Sequence, residues 1–146
     1  MRKIYFLITL LFTLAFVKCK TYNKQAEVDK LNHYAIIQYN PNEKYPKFEN
    51  AEPTNLTYEE ILKLERIIMP KIIKNLKEHK YFRQYVAAKN LDGEKLVWIN
   101  FFCEEYYNPS DEIYIMEGAD GGNCFFQVKV NLTKEDCYFY MENMEG

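Results

Sequence analysis

Residues Tyr81–Cys103 read YFRQYVAAKNLDGEKLVWINFFC, two apolar and aromatic runs separated by Asn90-Leu91-Asp92-Gly93. Within YFRQYVAAK and KLVWINFFC the pattern has a period of two, which is the spacing at which side chains alternate across a strand. The Asp-Gly pair between them supplies the positive backbone angle that a tight hairpin needs. A β-hairpin is therefore expected here, and the rest of the chain is read around it.

Upstream of the hairpin the period changes to that of a helix. Thr57 and Glu60 form a T-x-x-E capping box, with Leu56 and Ile61 placed as the matching hydrophobic staple. Ile61, Leu64, Ile68, Ile72 and Leu76 recur at intervals of three and four and define one stripe to be buried. Lys71, Lys74, Lys77 and Lys80 gather toward the C-terminal end, where the helix dipole favours cations. Pro70 lacks an amide hydrogen and crowds the preceding turn, so a kink or break is expected near Ile67–Met69. Further upstream, HYAIIQY (33–39) reads as a strand or an extended segment on the core, and 40–53 (NPNEKYPKFENAEP) as a loop pinned by Tyr45 and Phe48.

Downstream, EIYIM (112–116) reads as a third short strand. CFFQVKVNL (124–132) alternates cleanly, with Cys124, Phe126, Val128, Val130 and Leu132 pointing inward and the intervening residues toward water. CYFYM (137–141) follows the turn Thr133–Asp136 as an edge strand. One helix with four or five antiparallel strands gives an α+β fold, the helix packed across the apolar face of the sheet. This order resembles cystatin-like and PepSY-like domains.

The first residues have a different character. Met1-Arg2-Lys3 carries two positive charges ahead of an unbroken apolar run from Ile4 to Val17. That run has no polar face and is shorter than the about 20 residues a bilayer span needs, which marks a secretion signal. Cys19 follows directly, then a polar segment. The junction resembles a bacterial lipoprotein signal, in which the cysteine becomes the first mature residue and bears acyl chains. The pattern has a small residue before the cysteine, whereas Lys18 stands here, and ordinary cleavage near Cys19 is the alternative. The expected organisation is a signal at 1–19, a tether at 20–32 and one α+β domain at 33–146. Localisation is then outer-membrane-anchored or periplasmic, and secreted if Cys19 carries no lipid.

Hydrophobic residues make up 48% and aromatics 16%, with 13 tyrosines and 10 phenylalanines, enough for a dense core in one domain. A net charge of −2 argues against nucleic acid as a partner. Besides Cys19 there are Cys103, Cys124 and Cys137. Export permits a disulfide among them, but the odd count leaves at least one thiol free; without a lipid on Cys19, four cysteines could form two bridges in three possible pairings. They lack the close spacing of zinc ligands, and His33 and His79 lie far off in sequence, so no metal and no cofactor is expected.

No catalytic constellation can be read. The two histidines and the single serine, Ser110, form no nucleophile pattern. The residues nominated for binding are those of the acidic, tyrosine-bearing connection Glu104, Glu105, Tyr106, Tyr107, Asp111 and Glu112, together with Asp120 in the glycine-rich stretch EGADGGN (117–123). Tyrosines on such a loop offer large contact area at low entropic cost. The three glycines suit a long hairpin connection rather than a phosphate cradle, because a strand and not a helix follows. The leading expectation is an extracytoplasmic binding module with a membrane anchor and a possible protein partner. Its rivals are an inhibitor or immunity-like protein and an enzyme working through Glu104, Glu105 or Asp111.

The words NLTYEEILKLE (55–65), GEKLVWINFFC (93–103) and GGNCFFQVKVNLTK (121–134) resemble a family of short exported proteins of Bacteroidetes-type bacteria. Signals in that family often end in a cysteine followed by lysine, as Cys19-Lys20 does. The resemblance implies origin and location, and no functional residue is carried over from it.

Overall fold

The computed structural model describes residues 33–118 and 121–143. The signal, Cys19, the tether and Asp120 lie outside them. The hairpin forms as expected: β3 (Tyr81–Asn90) and β4 (Lys95–Cys103) pair antiparallel from Tyr81↔Cys103 to Lys89↔Lys95. Gly93 sits at φ 78°, and the Asn90 side-chain oxygen accepts from the Glu94 amide at 2.8 Å, closing the turn. β5 (Phe125–Asn131) pairs with β4, and β6 (Asp136–Glu142) pairs with β5 as a free edge.

The other edge departs from the expected all-antiparallel sheet. β1 (Tyr34–Gln38) runs parallel to β3, pairing Tyr34↔Arg83 through Gln38↔Ala87. The short β2 (Ala51–Pro53) continues along the same edge of β3, now antiparallel, at Ala88–Asn90. The sheet is thus mixed and has six strands, one more than the upper expectation. A parallel pair cannot be joined by a tight turn. Here the connection from β1 to β3 contains the loop, β2 and the helices.

Helix α1 (Tyr58–Ile72) starts where the sequence places it. The Glu60 amide donates to Thr57 Oγ1 at 3.2 Å and the Thr57 amide donates to Glu60 Oε2 at 2.9 Å. Thr57→Ala removes the first of these, and thermal unfolding should show a loss of about 1 kcal/mol. Ile61, Leu64, Ile68 and Ile72 are completely buried. Of the kink or break expected near Ile67–Met69, the break does not occur: the helix continues through Pro70 to Ile72 and turns at 73–74. The hydrogen bond that Pro70 cannot make belongs to the exposed Arg66 carbonyl side of the helix, where water can replace it. After the turn, α2 (Asn75–Glu78) has a shifted register, so Asn75 is buried and Leu76 only partly so.

Side chains of β3, β4 and β5 divide between two faces. Tyr81, Tyr85, Val97, Ile99, Phe101, Phe126, Val128 and Val130 face the stripe of α1. Phe101 and Phe126 stack at 4.3 Å between centroids, and Tyr81 meets Phe126 edge-on at 5.1 Å. The second face was expected to be wet, and it is covered. Phe125, Gln127 and Asn131 of β5 are buried. At one end, Trp98, Val86 and Ala88 pack against Tyr39, Tyr45 and Phe48 from the 39–48 segment, which is pinned by Tyr45 and Phe48 as the sequence suggests. Tyr45 binds through its hydroxyl, donating to Gln127 Oε1 at 2.6 Å and accepting from Trp98 Nε1 at 3.1 Å.

At the other end the cover is the segment 104–118, and here the expected strand at 112–116 is absent. Glu104–Tyr106 and Pro109–Glu112 are single 3-10 turns, the latter capped reciprocally by Asn108 and Asp111. Beyond them the backbone bonds to side chains instead of to a neighbouring strand. Gln84 Nε2 donates to the carbonyls of Asp111 and Tyr114, both at 2.7 Å, and Gln84 Oε1 accepts from the Met116 amide at 2.9 Å. Asn100 Nδ2 donates to the Met116 carbonyl and to Gln84 Oε1, both at 2.9 Å. Two buried amides thus replace a ladder and hold 104–118 as a strap.

A disulfide, Cys103–Cys124, closes the base of this strap, and Cys137 remains a buried thiol. Gly118 and Gly121 clasp the Phe125 ring so closely that a Cβ on either would lie within 2.7 Å of it. The bridged cysteines are 21 residues apart. From loop entropy, the Cys103→Ser/Cys124→Ser double variant should unfold in urea with about 3 kcal/mol less stability.

Candidate functional site

The strap, the disulfide and the ends of β3 and β6 meet at one end of the sheet, and most nominated residues lie there. Tyr107 is half-buried and stacks on Phe82 at 4.7 Å, its hydroxyl donating to Glu112 Oε1 at 2.7 Å. That carboxylate raises the Tyr107 pKa above its ordinary value, first through the hydrogen bond. Asp111 is buried, and its carboxylate accepts from the Asn108 amide at 2.8 Å, so it serves the turn. Glu104 Oε1 lies 3.2 Å from His33 Nδ1. Glu105 and Tyr106 are exposed, with the Tyr106 ring 5.2 Å from that of Phe125. Among the described residues, the Glu104 and Asp111 carboxylates are thus engaged separately, with His33 and with the Asn108 amide, while Glu105 faces solvent.

What the strap presents outward is partly apolar. Tyr106 is 49% exposed, Ile113 67% and Tyr114 69%, flanked by the exposed Glu105 and Glu112. Ile113 and Tyr114 were not nominated from sequence, where 112–116 reads as a third short strand.

Among the described residues, clefts lie toward both ends of the sheet. One, of about 320 Å³, lies beside the strap's end and is lined by Lys74, Asn75, Glu78, Gly122, Asn123, Glu142 and Asn143. Asn75 Nδ2 donates to Glu142 Oε1 at 2.8 Å, and Tyr140 donates to the same carboxylate. These two hydrogen bonds hold the Glu142 pKa below its ordinary value. Tyr81 donates to the Asn123 carbonyl at 2.8 Å. Burial, reinforced by the charges of Glu78 and Glu142, pushes its phenol up to about 12. None of these residues carries a motif. The second cleft, of about 460 Å³, opens at the hairpin end and includes Lys63, Lys89 and Lys95. Two of its lysines are already paired, Lys95 with Glu60 at 2.6 Å and Lys63 with Glu135 at 2.8 Å.

The fold also brings His79 beside Cys103 and Cys124, with one ring nitrogen and both sulfurs within 4.8 Å of one another. Sequence distance concealed this grouping. Joined in a disulfide, the two sulfurs offer no thiolate to a metal. Among the described residues, no helix is long and apolar enough to cross a membrane.

No protein-family model, curated protein or solved structure matches this chain. The functional reading therefore rests on the geometry above.

Proposed function

We propose that the chain is an exported, lipid-anchored interaction module that presents the 104–118 strap to a protein partner. The observation that carries this reading is the combination of exposed Tyr106, Ile113 and Tyr114 with a backbone fixed from beneath by buried Gln84 and Asn100. Apolar side chains on a backbone that is already ordered bind at a lower entropic cost than those of a flexible loop, and aromatic residues of this kind dominate interface energetics. Glu105 and Glu112 at the rim favour a partner with a basic border. The Cys103–Cys124 disulfide supports an oxidising, extracytoplasmic setting. The anchor is the Cys19 lipid suggested by the signal, as in the Bacteroidetes-type exported proteins that the sequence resembles.

The test uses the full chain expressed in a bacterium that processes its signal. A photo-crosslinking amino acid is placed at Tyr114 or, as a control, at Leu91, which is 85% exposed on the hairpin turn at the opposite end of β3. A discrete adduct at position 114 that disappears with Ile113→Ser, and is missing at 91, is the expected result. Equal labelling from both positions would sink the strap as an interface. In the same cells Cys19→Ser should release the protein from the membrane fraction, and an unmodified mature N-terminus by intact mass would remove the anchor.

A further inference from the structure

His79, Cys103 and Cys124 come together from three different elements. Cys103 ends β4 opposite Tyr81, and Cys124 ends the 3-10 turn Gly122–Cys124. His79 follows α2 in extended backbone, and the Glu104 amide, donating to the Lys80 carbonyl at 3.0 Å, carries the β3–β4 ladder toward it. With a period of two, His79 falls on the side of Tyr81, their rings 6.1 Å apart. The Tyr81 hydroxyl also holds the Cys124 turn, donating to the Asn123 carbonyl at 2.8 Å. One His79 ring nitrogen and both sulfurs therefore lie within 4.8 Å of one another.

The two histidines are used differently. His33 lies against the Glu104 carboxylate, whereas the exposed His79 ring has no hydrogen-bond or ion-pair partner among the described residues. Its nearest chemistry is the pair of sulfurs. Zinc holds a thiolate at about 2.3 Å and an imidazole nitrogen at about 2.0–2.1 Å, which sets tetrahedral ligand atoms about 3.5 Å apart. The two cysteine Cα atoms are 5.0 Å apart, so both sulfurs can reach one ion by side-chain rotation. The ring then needs to move by only on the order of 1 Å.

We propose that His79, Cys103 and Cys124 form a redox-gated zinc site, a disulfide in the oxidised protein and a ligand set for Zn²⁺ in the reduced one. Two thiolates and an imidazole select zinc over calcium or magnesium, and a fourth position is left to water. A dithiol reductant opens the site. Its thiolate bonds to one cysteine sulfur as the Cys103–Cys124 bond breaks, and the departing thiolate takes a proton. The reductant's second thiol then displaces the other cysteine and leaves as an internal disulfide, carrying the two-electron oxidation. Zinc binding releases one proton from each cysteine thiol, while His79 binds as the neutral imidazole. The metal replaces the disulfide in closing the base of the strap, and the outward surface of the strap takes no part.

Cobalt(II), which occupies zinc sites and reports its ligands by absorption, tests this on the mature protein. Reduced with a dithiol and freed of it without air, the wild type should bind one equivalent. Sulfur-to-cobalt charge-transfer absorption and the strong visible bands of a tetrahedral ion should appear, and zinc should abolish both. The disulfide form should bind none. Cys103→Ser/Cys124→Ser, which keeps Cys137, should give no charge-transfer band. His79→Asn, at an exposed position, should weaken binding at least tenfold. Zinc should also raise the urea midpoint of the reduced wild type, or refold it if reduction unfolds it, and do neither for the double variant. The proposal is overturned if the reduced wild type gives no one-to-one charge-transfer band, or if His79→Asn binds as tightly. It is also overturned if zinc leaves the unfolding of the reduced wild type unchanged, and the disulfide is then purely structural.

Discussion

Replacing Arg83 with alanine is expected to lower the stability of the domain by about 3–5 kcal/mol, seen as a large fall in the urea midpoint. Arg83 lies between α1 and the sheet with its side chain only 7% exposed, opposite Glu65 at 11%. Its Nε approaches Glu65 Oε1 at 3.4 Å, close enough for ion pairing, yet that Nε is aligned with no acceptor for a hydrogen bond. The guanidinium has two other supports: Nη1 donates to the Tyr81 carbonyl at 3.3 Å, and its carbon lies 5.3 Å from the Phe101 ring centroid. Glu65 in turn accepts from the Tyr85 hydroxyl at 2.5 Å. Burial, then the Glu65 charge, raises the Tyr85 pKa well above its ordinary value, so the phenol stays a donor throughout the accessible pH range.

Removing Arg83 leaves the Glu65 charge buried with one neutral donor, which is the costly case. Removing both charges is different. Desolvating two ions offsets much of their attraction, so Glu65→Leu/Arg83→Met should recover most of the loss. If the double variant is as unstable as Arg83→Ala, the pair stabilises the fold beyond the cost of its burial.

The elements that the sequence discloses are those whose hydrogen bonds and apolar contacts lie close along the chain. The capping box at Thr57 and Glu60, the stripe from Ile61 to Ile72 and the β3–β4 hairpin are all of this kind. Alternation in 124–132 shows a strand, but it cannot show that Gln127 finds Tyr45, 82 residues earlier, and is therefore buried. The parallel place of β1 is a matter of topology rather than of local pattern. Its one clue is that a helix separates two strand-like runs, as a crossover requires. The cleft is the least legible part. It depends on the turn at 73–74, which rotates Asn75 inward in place of Leu76, and on Glu142, 67 residues later. In the strap, Tyr106 and Glu105 were legible as exposed loop residues. Ile113 and Tyr114 were not, because a short apolar run gives the same pattern whether its backbone pairs with a strand or with buried amides.

That last ambiguity makes Gln84 the residue on which the strap depends. Gln84→Ala should cost about 4 kcal/mol, because four hydrogen bonds of about 1 kcal/mol each are lost together. The Asp111 and Tyr114 carbonyls lose their donor, and the Met116 amide and Asn100 Nδ2 lose their acceptor. Gln84 is fully buried and Asn100 nearly so, which leaves Asn100 facing a vacated space. Gln84→Glu separates shape from hydrogen bonding: it keeps the acceptor for Met116 and Asn100 but turns the donor to the two carbonyls into a charge. It should be at least as destabilising as alanine. Native-state hydrogen exchange distinguishes local from global loss. Faster exchange at Met116, with Tyr85 and Ile99 still protected in the sheet, would mean that the strap alone lifts. Tyr106, Ile113 and Tyr114 would then lose their fixed presentation in a domain that is still folded. Uniform loss of protection would instead make the strap part of the cooperative core, in which case binding and stability cannot be separated by mutation at this residue.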